Sequence, residues 1–216
     1  MRADQLLTDP DYEVPTTTAS GPPGGINWLR ATVARFSTGD THHRRRALTL
    51  DLLSAIDPAT LHKRAHALAA DGVTPVEILA EALGLTVAPD DVATVAAAYH
   101  PHLPAGPEHD AAVAALVDAC GGVPDEPTAA RIGLLVQAHA ATNALIHNAR
   151  GRAPAPDEAV RLALAEDPPV RITRRVHAGE TIEIDISDLP FGAGPHTCPG
   201  RDHGIALATG ILSGER

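Results

Sequence analysis

The chain has 216 residues, enough to bury the core of one globular domain. Its 27 acidic residues outnumber 17 lysines and arginines, and the formal net charge of -10 argues against nucleic acid as a partner, because phosphates need a basic surface. No apolar run reaches the roughly 18 residues of a membrane span, and the first residues lack a secretion-signal pattern. Two cysteines are too few for a disulfide framework. We therefore expect no membrane partner and a cytoplasmic location.

The N-terminal region predicts a mobile arm at 1–25 followed by helices. Leu6 and Leu7 form a short apolar piece, and residues 15–25 are rich in Thr, Pro and Gly, which favours a loop. Apolar spacing, with Pro, Gly and Asp at the boundaries, then predicts helices. They cover 26–36, 40–53, 58–70, 75–83, 89–99 and 110–120.

The longest predicted helix covers 128–150 and would be roughly 35 Å long at about 1.5 Å per residue. Its apolar residues surround the axis, which is typical of a helix buried in the middle of a domain. A helix over 157–166, strands over 172–176 and 181–186, a glycine-rich loop at 191–200 and a helix over 201–212 follow. The sequence thus predicts a mainly α chain with a small β component, forming a single domain over 1–216.

The glycine-rich loop carries the most specific pattern in the chain. Glycines allow tight turns whose N–H groups point at the cysteine sulfur, and the next helix directs the positive end of its dipole to the same atom. A thiolate stabilised in this way can bind a metal. The alternative is a plain Gly/Pro loop with a buried cysteine. The fixed positions of the pattern FGxGxHxCxG are Phe191, Gly192, Gly194, His196, Cys198 and Gly200.

This pattern resembles the heme-ligand loop of the cytochrome P-450 family. The resemblance implies a heme b whose iron is bound by the Cys198 thiolate as axial ligand, a donor that favours O–O cleavage. It also implies that Phe191 shields the sulfur from water, that His196 reaches a heme propionate, and that Gly200 belongs to the cofactor-binding loop. Cys120 lacks such a context and is expected to be a core residue.

Two other segments follow the order of this family. Residues 41–46 resemble the helix whose histidine and arginine hold a propionate, and His42 and Arg46 have the required i, i+4 spacing. Residues 167–176 resemble a turn and strand whose arginine meets a propionate, with Arg175 the better match and Arg174 its neighbour. The alternative is that both are surface arginines. The implied fold is a shortened cytochrome P-450-like helical fold, with heme between the long central helix and the Cys loop.

The chain departs from the family at a glutamate–arginine pair, ExxR, near the end of the chain. The family positions fall at Leu162 and Ala165, where neither residue fits. A literal ExxR, from Glu158 to Arg161, lies one turn earlier and is more simply a coincidence. The meander that precedes the Cys loop in the family is essentially missing.

The central helix departs from the family at the residues that deliver protons. The family's acid and alcohol fall at Ala140 and Ala141, so the usual relay is missing. His139 and Thr142 lie beside these positions and are the remaining candidates for catalytic residues. A lone histidine in an apolar helix is alternatively a core residue.

The resemblance leaves two main functions open. The preferred one is a heme-thiolate oxidoreductase that oxidises a small apolar substrate with O2 or peroxide. The alternative is a non-catalytic heme-binding sensor or heme-dependent partner protein. A decayed relative that folds without heme is a third, which the intact loop opposes. Expected partners are the small-molecule substrate, a ferredoxin-type electron donor docking on Arg44, Arg45 and Arg201, and a second copy of the chain, because a shortened fold should expose apolar faces.

Overall fold

The computed structural model describes residues 1–215, and within them the chain forms ten α-helices and one β-hairpin. This confirms the mainly α prediction with its small β component. The helices are α1 (Ala3–Thr8), α2 (Ile26–Thr32), α3 (Gly39–Ser54), α4 (Pro58–Leu68), α5 (Pro75–Ala82), α6 (Pro89–Ala97), α7 (Pro107–Ala119), α8 (Glu126–Ala149), α9 (Pro156–Glu166) and α10 (Arg201–Gly214).

The hairpin joins β1 (Ile172–His177) and β2 (Glu180–Asp185) in an antiparallel pair. Its two-residue turn has positive φ at Ala178 (50°) and Gly179 (83°), the backbone twist that tight hairpins prefer. Arg174 lies opposite Glu183, and Arg175 lies opposite Ile182. Because side chains alternate along a strand, the two arginines point to opposite faces of the hairpin.

Most helices begin where the sequence supplies a local start signal. Proline is the first residue of α4, α5, α6, α7 and α9, where its missing N–H breaks no helical hydrogen bond. At α4, Asp57 caps the helix by accepting hydrogen bonds from the backbone N–H groups of Ala59 and Thr60, at 3.2 and 3.0 Å. The predicted helix over 26–36 is instead interrupted, because Val33 is extended and a short 3-10 turn follows at Ala34–Phe36.

The chain clusters into two compact units, each built from separate stretches of sequence. Unit 1 contains Met1–Pro15, Asp57–Pro75 and the chain from Ala141 onward, and unit 2 contains Thr16–Ile56 and Val76–Ala140. The boundary between Ala140 and Ala141 falls inside α8, which is one unbroken helix. The expectation of a single domain stays a prediction.

Unit 2 is organised around a buried arginine. Arg30 is 6% exposed and donates to the backbone carbonyl oxygens of Ala98, His100 and Leu103, at 2.5–3.1 Å. Burial lowers the pKa of this guanidinium, and the three carbonyls replace the water that it loses. Arg30 therefore holds the loop after α6 against α2.

Unit 1 contains the first fifteen residues, which the sequence had placed in a mobile arm. Leu7 of α1 packs with Ile184 and Ile186 in an apolar cluster. Glu13 forms an antiparallel bridge with Val176 of β1, with N–O distances of 3.0 and 2.8 Å. Tyr12 stacks on His177 with ring centroids 4.2 Å apart. These contacts fasten the N-terminal segment to the hairpin.

The closest helix packing in unit 1 joins α4 and α10. A Cβ atom added at Gly210 would lie 2.5 Å from the carbonyl oxygen of His62 and 2.7 Å from the Cβ of Ala65. Both of these atoms belong to α4, so the helix backbones touch at this point. Gly204, in the same helix, has open space around its Cα.

We predict that Gly210→Ala lowers the free energy of unfolding by about 1–3 kcal/mol, since the new methyl group must push α4 away. Urea denaturation followed by circular dichroism measures this change. Gly204→Ala is the matched control and should leave stability unchanged or raise it by about 0.5–1 kcal/mol, because alanine favours a helix. Equal effects of the two substitutions would contradict the close packing.

Candidate heme-thiolate site

The loop from Phe191 to Gly200 closes on itself through backbone hydrogen bonds. The N–H of Cys198 donates to the carbonyl of Phe191 at 2.8 Å, and the N–H of Thr197 donates to that of Gly194 at 3.1 Å. Gly192 and Gly194 have φ values of 71° and 70°, in the left-handed region that favours glycine. The loop ends where α10 begins, which places Cys198 just before a helix N-terminus.

The N-terminal segment supports this loop from one side. A Cβ atom at Gly194 would lie 2.7 Å from the carbonyl oxygen of Leu7 and 3.0 Å from the Cγ2 of Thr8. Gly194 is thus required both by its φ and by the close approach of α1. The sequence pattern identified Gly194 but gave no sign that the first helix packs against it.

The two cysteines have different surroundings. Cys198 is exposed, whereas Cys120 is buried at the end of α7, where burial raises the pKa of its thiol. An accessible sulfur at the end of a glycine turn and before a helix suits a metal-binding thiolate, and a buried thiol with a raised pKa does not. The loop therefore fits the sulfur ligand that the sequence predicts for heme.

Phe191 and His196 precede the cysteine in the loop, and both are half-buried. The guanidinium carbon of Arg201, the first residue of α10, lies 5.3 Å from the centroid of the Phe191 ring. Gly200 is the residue from which α10 starts. The structure thus gathers the loop residues that the sequence singled out, together with an arginine that the sequence pattern does not include.

The hairpin distinguishes the two candidate arginines of β1. Arg174 is on the exposed face and pairs with Glu183 at 2.5 Å. Arg175 is 6% exposed, and its Nη1 donates to the Oγ1 of Thr173 and to the carbonyl of Arg174, at 3.2 and 2.9 Å. A buried guanidinium needs polar partners, which Thr173 and the Arg174 carbonyl supply here. The contact of Arg175 with a propionate stays a prediction.

His42 and Arg46 lie in α3 of unit 2, one helical turn apart. His42 is 2% exposed, and its pKa is lowered by burial and, to a smaller extent, by the positive charge of Arg46 and by His43. The imidazole is therefore neutral at pH 7 and can donate or accept a hydrogen bond. Arg46 is half-buried. Their contact with a propionate stays a prediction.

The neighbouring arginines of α3 are engaged with one carboxylate. Arg44 donates twice to Glu126 at 2.8 and 2.9 Å, and Arg45 donates to it at 2.9 Å. Arg45 also donates to the carbonyl of Ala31 and to Ser37. The hydrogen bond from Arg44, helped by that from Arg45, holds the pKa of Glu126 at about 2. Glu126 thus pairs with both arginines, and the docking of an electron-transfer partner on Arg44 and Arg45 stays a prediction.

The two candidate catalytic residues lie three positions apart in α8, on one face of the helix. Thr142 is buried, and His139 is half-buried. Within residues 1–215 the His139 Nδ1 is buried without a hydrogen-bond partner. Ala140 is exposed. An imidazole nitrogen in this state is able to bond a ligand or a water, which the alanines beside it are not.

The literal ExxR is a surface pair. Arg161 donates to Glu158 at 2.9 and 2.5 Å, and both side chains are about half exposed or more. The end of α9 is instead tied by Asp167, which pairs with Arg152 at 3.2 Å and also with Arg171, while its carbonyl accepts from Asn148 at 2.7 Å. No sequence pattern reveals this cluster, because its residues are spread from Asn148 to Arg171.

Comparison with known proteins finds similar solved structures but no related sequence. No model of a protein family matches the chain, and no curated protein matches it. Solved structures do match. A thermophilic cytochrome P-450 from Sulfolobus tokodaii is similar, with a TM-score of 0.70 and 16% identity over 98% of this chain and 83% of that one. CYP164A2 of Mycobacterium smegmatis, with econazole bound, has a TM-score of 0.69 and 19% identity over 98% and 80%.

A third structure, P450BioI in complex with an acyl carrier protein ligated with hexadec-9Z-enoic acid, has a TM-score of 0.60 and 17% identity over 98% of this chain and 81% of that one. The chain therefore has a cytochrome P-450-like fold, as the loop pattern predicted. Across residues 1–215, no helix is both long and apolar enough to cross a membrane.

We predict that Glu126→Gln removes part of the pH dependence of stability. Because the folded pKa of Glu126 lies near 2 and its usual value is 4.5, the carboxylate stabilises the fold above pH 4.5, and this contribution is lost as the pH falls toward 2. The loss should be about 1–2 kcal/mol after solvent screening. Urea denaturation between pH 2 and 7 measures it. The exposed Glu180→Gln is the control, and identical profiles for both variants would refute the pairing.

Proposed function

We propose that the chain is a heme-thiolate oxidoreductase that uses O2 or peroxide to oxidise a small apolar molecule. The observation that carries this proposal is the exposed Cys198 in a closed glycine loop at the start of α10, within a cytochrome P-450-like fold. Fold likeness by itself does not define an activity, so the loop residues carry the argument.

Three residues of the loop, together with Arg175, His42 and Arg46 outside it, would hold the cofactor. Cys198 binds the iron of heme b, and the turn that ends on its N–H keeps the sulfur in place. Phe191 limits the access of water to the sulfur. His196, Arg175, His42 and Arg46 neutralise the propionates. When bound, the heme supplies a redox-active iron that a thiolate ligand makes suited to O–O cleavage.

The central helix determines which oxidant is favoured. With Ala140 and Ala141 at the positions of the family's acid and alcohol, the chain does not supply the usual protons for O2 reduction. Peroxide already carries the two electrons that O2 would take from a reductant and the protons that this relay would deliver. His139, with its unbonded Nδ1, then serves as the group that takes up and returns a proton, and Thr142 orients the oxidant or substrate.

The alternative function is a non-catalytic heme sensor or a heme-dependent partner protein. The same two alanines favour it, because a protein that only binds heme and a small gas needs no proton delivery. The surface position of Glu158 and Arg161 agrees with this alternative as well, since neither residue acts as the family's internal pair. Catalytic turnover separates the two functions.

The expected partners and location belong to this proposal. CYP164A2 binds econazole, and P450BioI is in complex with an acyl carrier protein bearing a fatty acid, which supports a small, largely apolar substrate here. A ferredoxin-type electron donor is needed only if O2 is the oxidant, and it would dock on the basic residues Arg44, Arg45 and Arg201. A homodimer and a cytoplasmic location stay predictions.

We predict that purified protein given heme shows, after reduction and addition of carbon monoxide, a Soret band shifted far to the red. Cys198→Ala should lose this shift, because the sulfur ligand is absent. Cys120→Ala is the matched control and should retain it, since that thiol is buried. Absorption spectroscopy makes the measurement. A Cys198→Ala spectrum identical to that of the unmodified protein would remove the basis of the proposal.

We predict that His139→Leu slows peroxide-driven oxidation of a small aromatic probe by about 10²-fold or more, the usual contribution of a positioned acid–base group. His147→Leu, an exposed histidine two turns further along α8, is the control and should retain the rate. Stopped-flow absorption gives the rates. Tight carbon monoxide binding without any peroxide turnover in the unmodified protein would favour the sensor instead.

A further inference from the structure

Arg201 makes a contact that the cofactor pattern does not require. Its guanidinium carbon lies 5.3 Å from the centroid of the Phe191 ring, within the range of a cation–π interaction. Arg201 is the first residue of α10, and Phe191 is the first residue of the loop. Their contact therefore joins the two ends of the segment that contains Cys198. The second link between these ends is the hydrogen bond from Cys198 to the Phe191 carbonyl at 2.8 Å.

The nearby apolar cluster does not include Phe191, so this cluster does not hold its ring in place. That cluster contains Leu7, Ile184 and Ile186, with Leu189 and Ala193 packed against it, and so takes residues on both sides of Phe191. The ring itself is only half-buried. Arg201, on the first turn of a helix whose other end is packed tightly on α4, offers a fixed anchor for it.

The positive charge of Arg201 has little direct effect on the Cys198 sulfur. Arg201 is exposed, so water and salt screen its field. The next residue, Asp202, is also exposed and carries the opposite charge. A purely electrostatic influence of Arg201 on the sulfur would therefore be small. Neutralising Asp202 would then have an effect of similar size and opposite sign.

We propose that Arg201 is a positioning residue, which holds the Phe191 ring at the start of α10, beside the Cys198 loop, and thereby protects the sulfur ligand in the heme-loaded protein. This inference rests on the proposed heme-thiolate function. Without the guanidinium, the ring is no longer held beside the loop. In the heme-loaded protein, water then reaches the bond between sulfur and iron more readily, and this bond is lost more easily. The ligand class is unchanged, and the effect is on how long thiolate ligation persists.

A double-mutant cycle tests the proposal, with Arg201→Met, Phe191→Leu and the double variant in heme-loaded protein. The readout is the rate at which the red-shifted carbon monoxide spectrum is lost. Each single substitution should raise this rate about 3- to 10-fold, in line with the strength of a cation–π contact. The double variant should be no faster than the faster single one, because both changes remove one interaction.

Two further variants separate positioning from charge. Arg201→Lys keeps a cation that can bind the ring face and should restore a rate within about twofold of the unmodified protein. Asp202→Asn changes the local charge without touching the ring and should leave the rate unchanged. The reduction potential gives a second readout, which should shift with Arg201→Met and with Phe191→Leu but not with Asp202→Asn.

The outcomes distinguish this inference from the proposed function. A thiolate-type spectrum that depends on Cys198 but is lost at the same rate in Arg201→Met overturns the inference alone. Single effects that multiply in the double variant overturn it too, as does an opposite shift of equal size in Asp202→Asn. If the unmodified protein never gives the thiolate-type spectrum, the function and the inference fall together. Heme content and circular dichroism, measured for each variant, identify any that do not fold.

Discussion

The position of Cys198 depends on the contact between α4 and α10. Gly210 lets the two helix backbones meet, and this contact holds α10 against α4 within unit 1. The loop joins α10 at Gly200. The position of the sulfur therefore depends on the contact at Gly210, ten residues further along the chain. On the other side of the loop, the carbonyl of Leu7 leaves no room for a side chain at Gly194. Rigid support of this kind is what a metal ligand needs to keep its geometry.

The sequence predicted those features that depend on neighbours in the chain. The Cys loop, the long α8, the hairpin and the proline starts of the helices are each encoded within a few residues, and the structure contains them. The preference for Arg175 over Arg174 also agrees with the alternation of a strand. The break at Val33 was not predicted, because the apolar spacing of residues 26–36 continues through it. The short helix α1 was not predicted either, since residues 1–25 were expected to form a mobile arm.

The remaining features depend on contacts between distant residues, which no local pattern shows. Arg30 binds carbonyls about seventy positions away, and Glu126 pairs with arginines more than eighty positions away. Glu126 is the counter-charge of two consecutive basic residues of α3, and no local pattern connects it with them. The support of Gly194 by α1 is likewise visible only in three dimensions.

Unit 1 is built from separate stretches of the chain, and this affects how it folds during synthesis on the ribosome. The contact between His177 and the carbonyl of Asp11 joins residues 166 positions apart, and the bridge of Glu13 with Val176 lies beside it. During synthesis the N-terminal segment therefore lacks its partner strand until Val176 and His177 have emerged from the ribosome. Long-range closure of this kind slows folding and exposes apolar side chains such as Leu7 in the meantime. The order in which the chain is made thus opposes the order in which unit 1 can be completed.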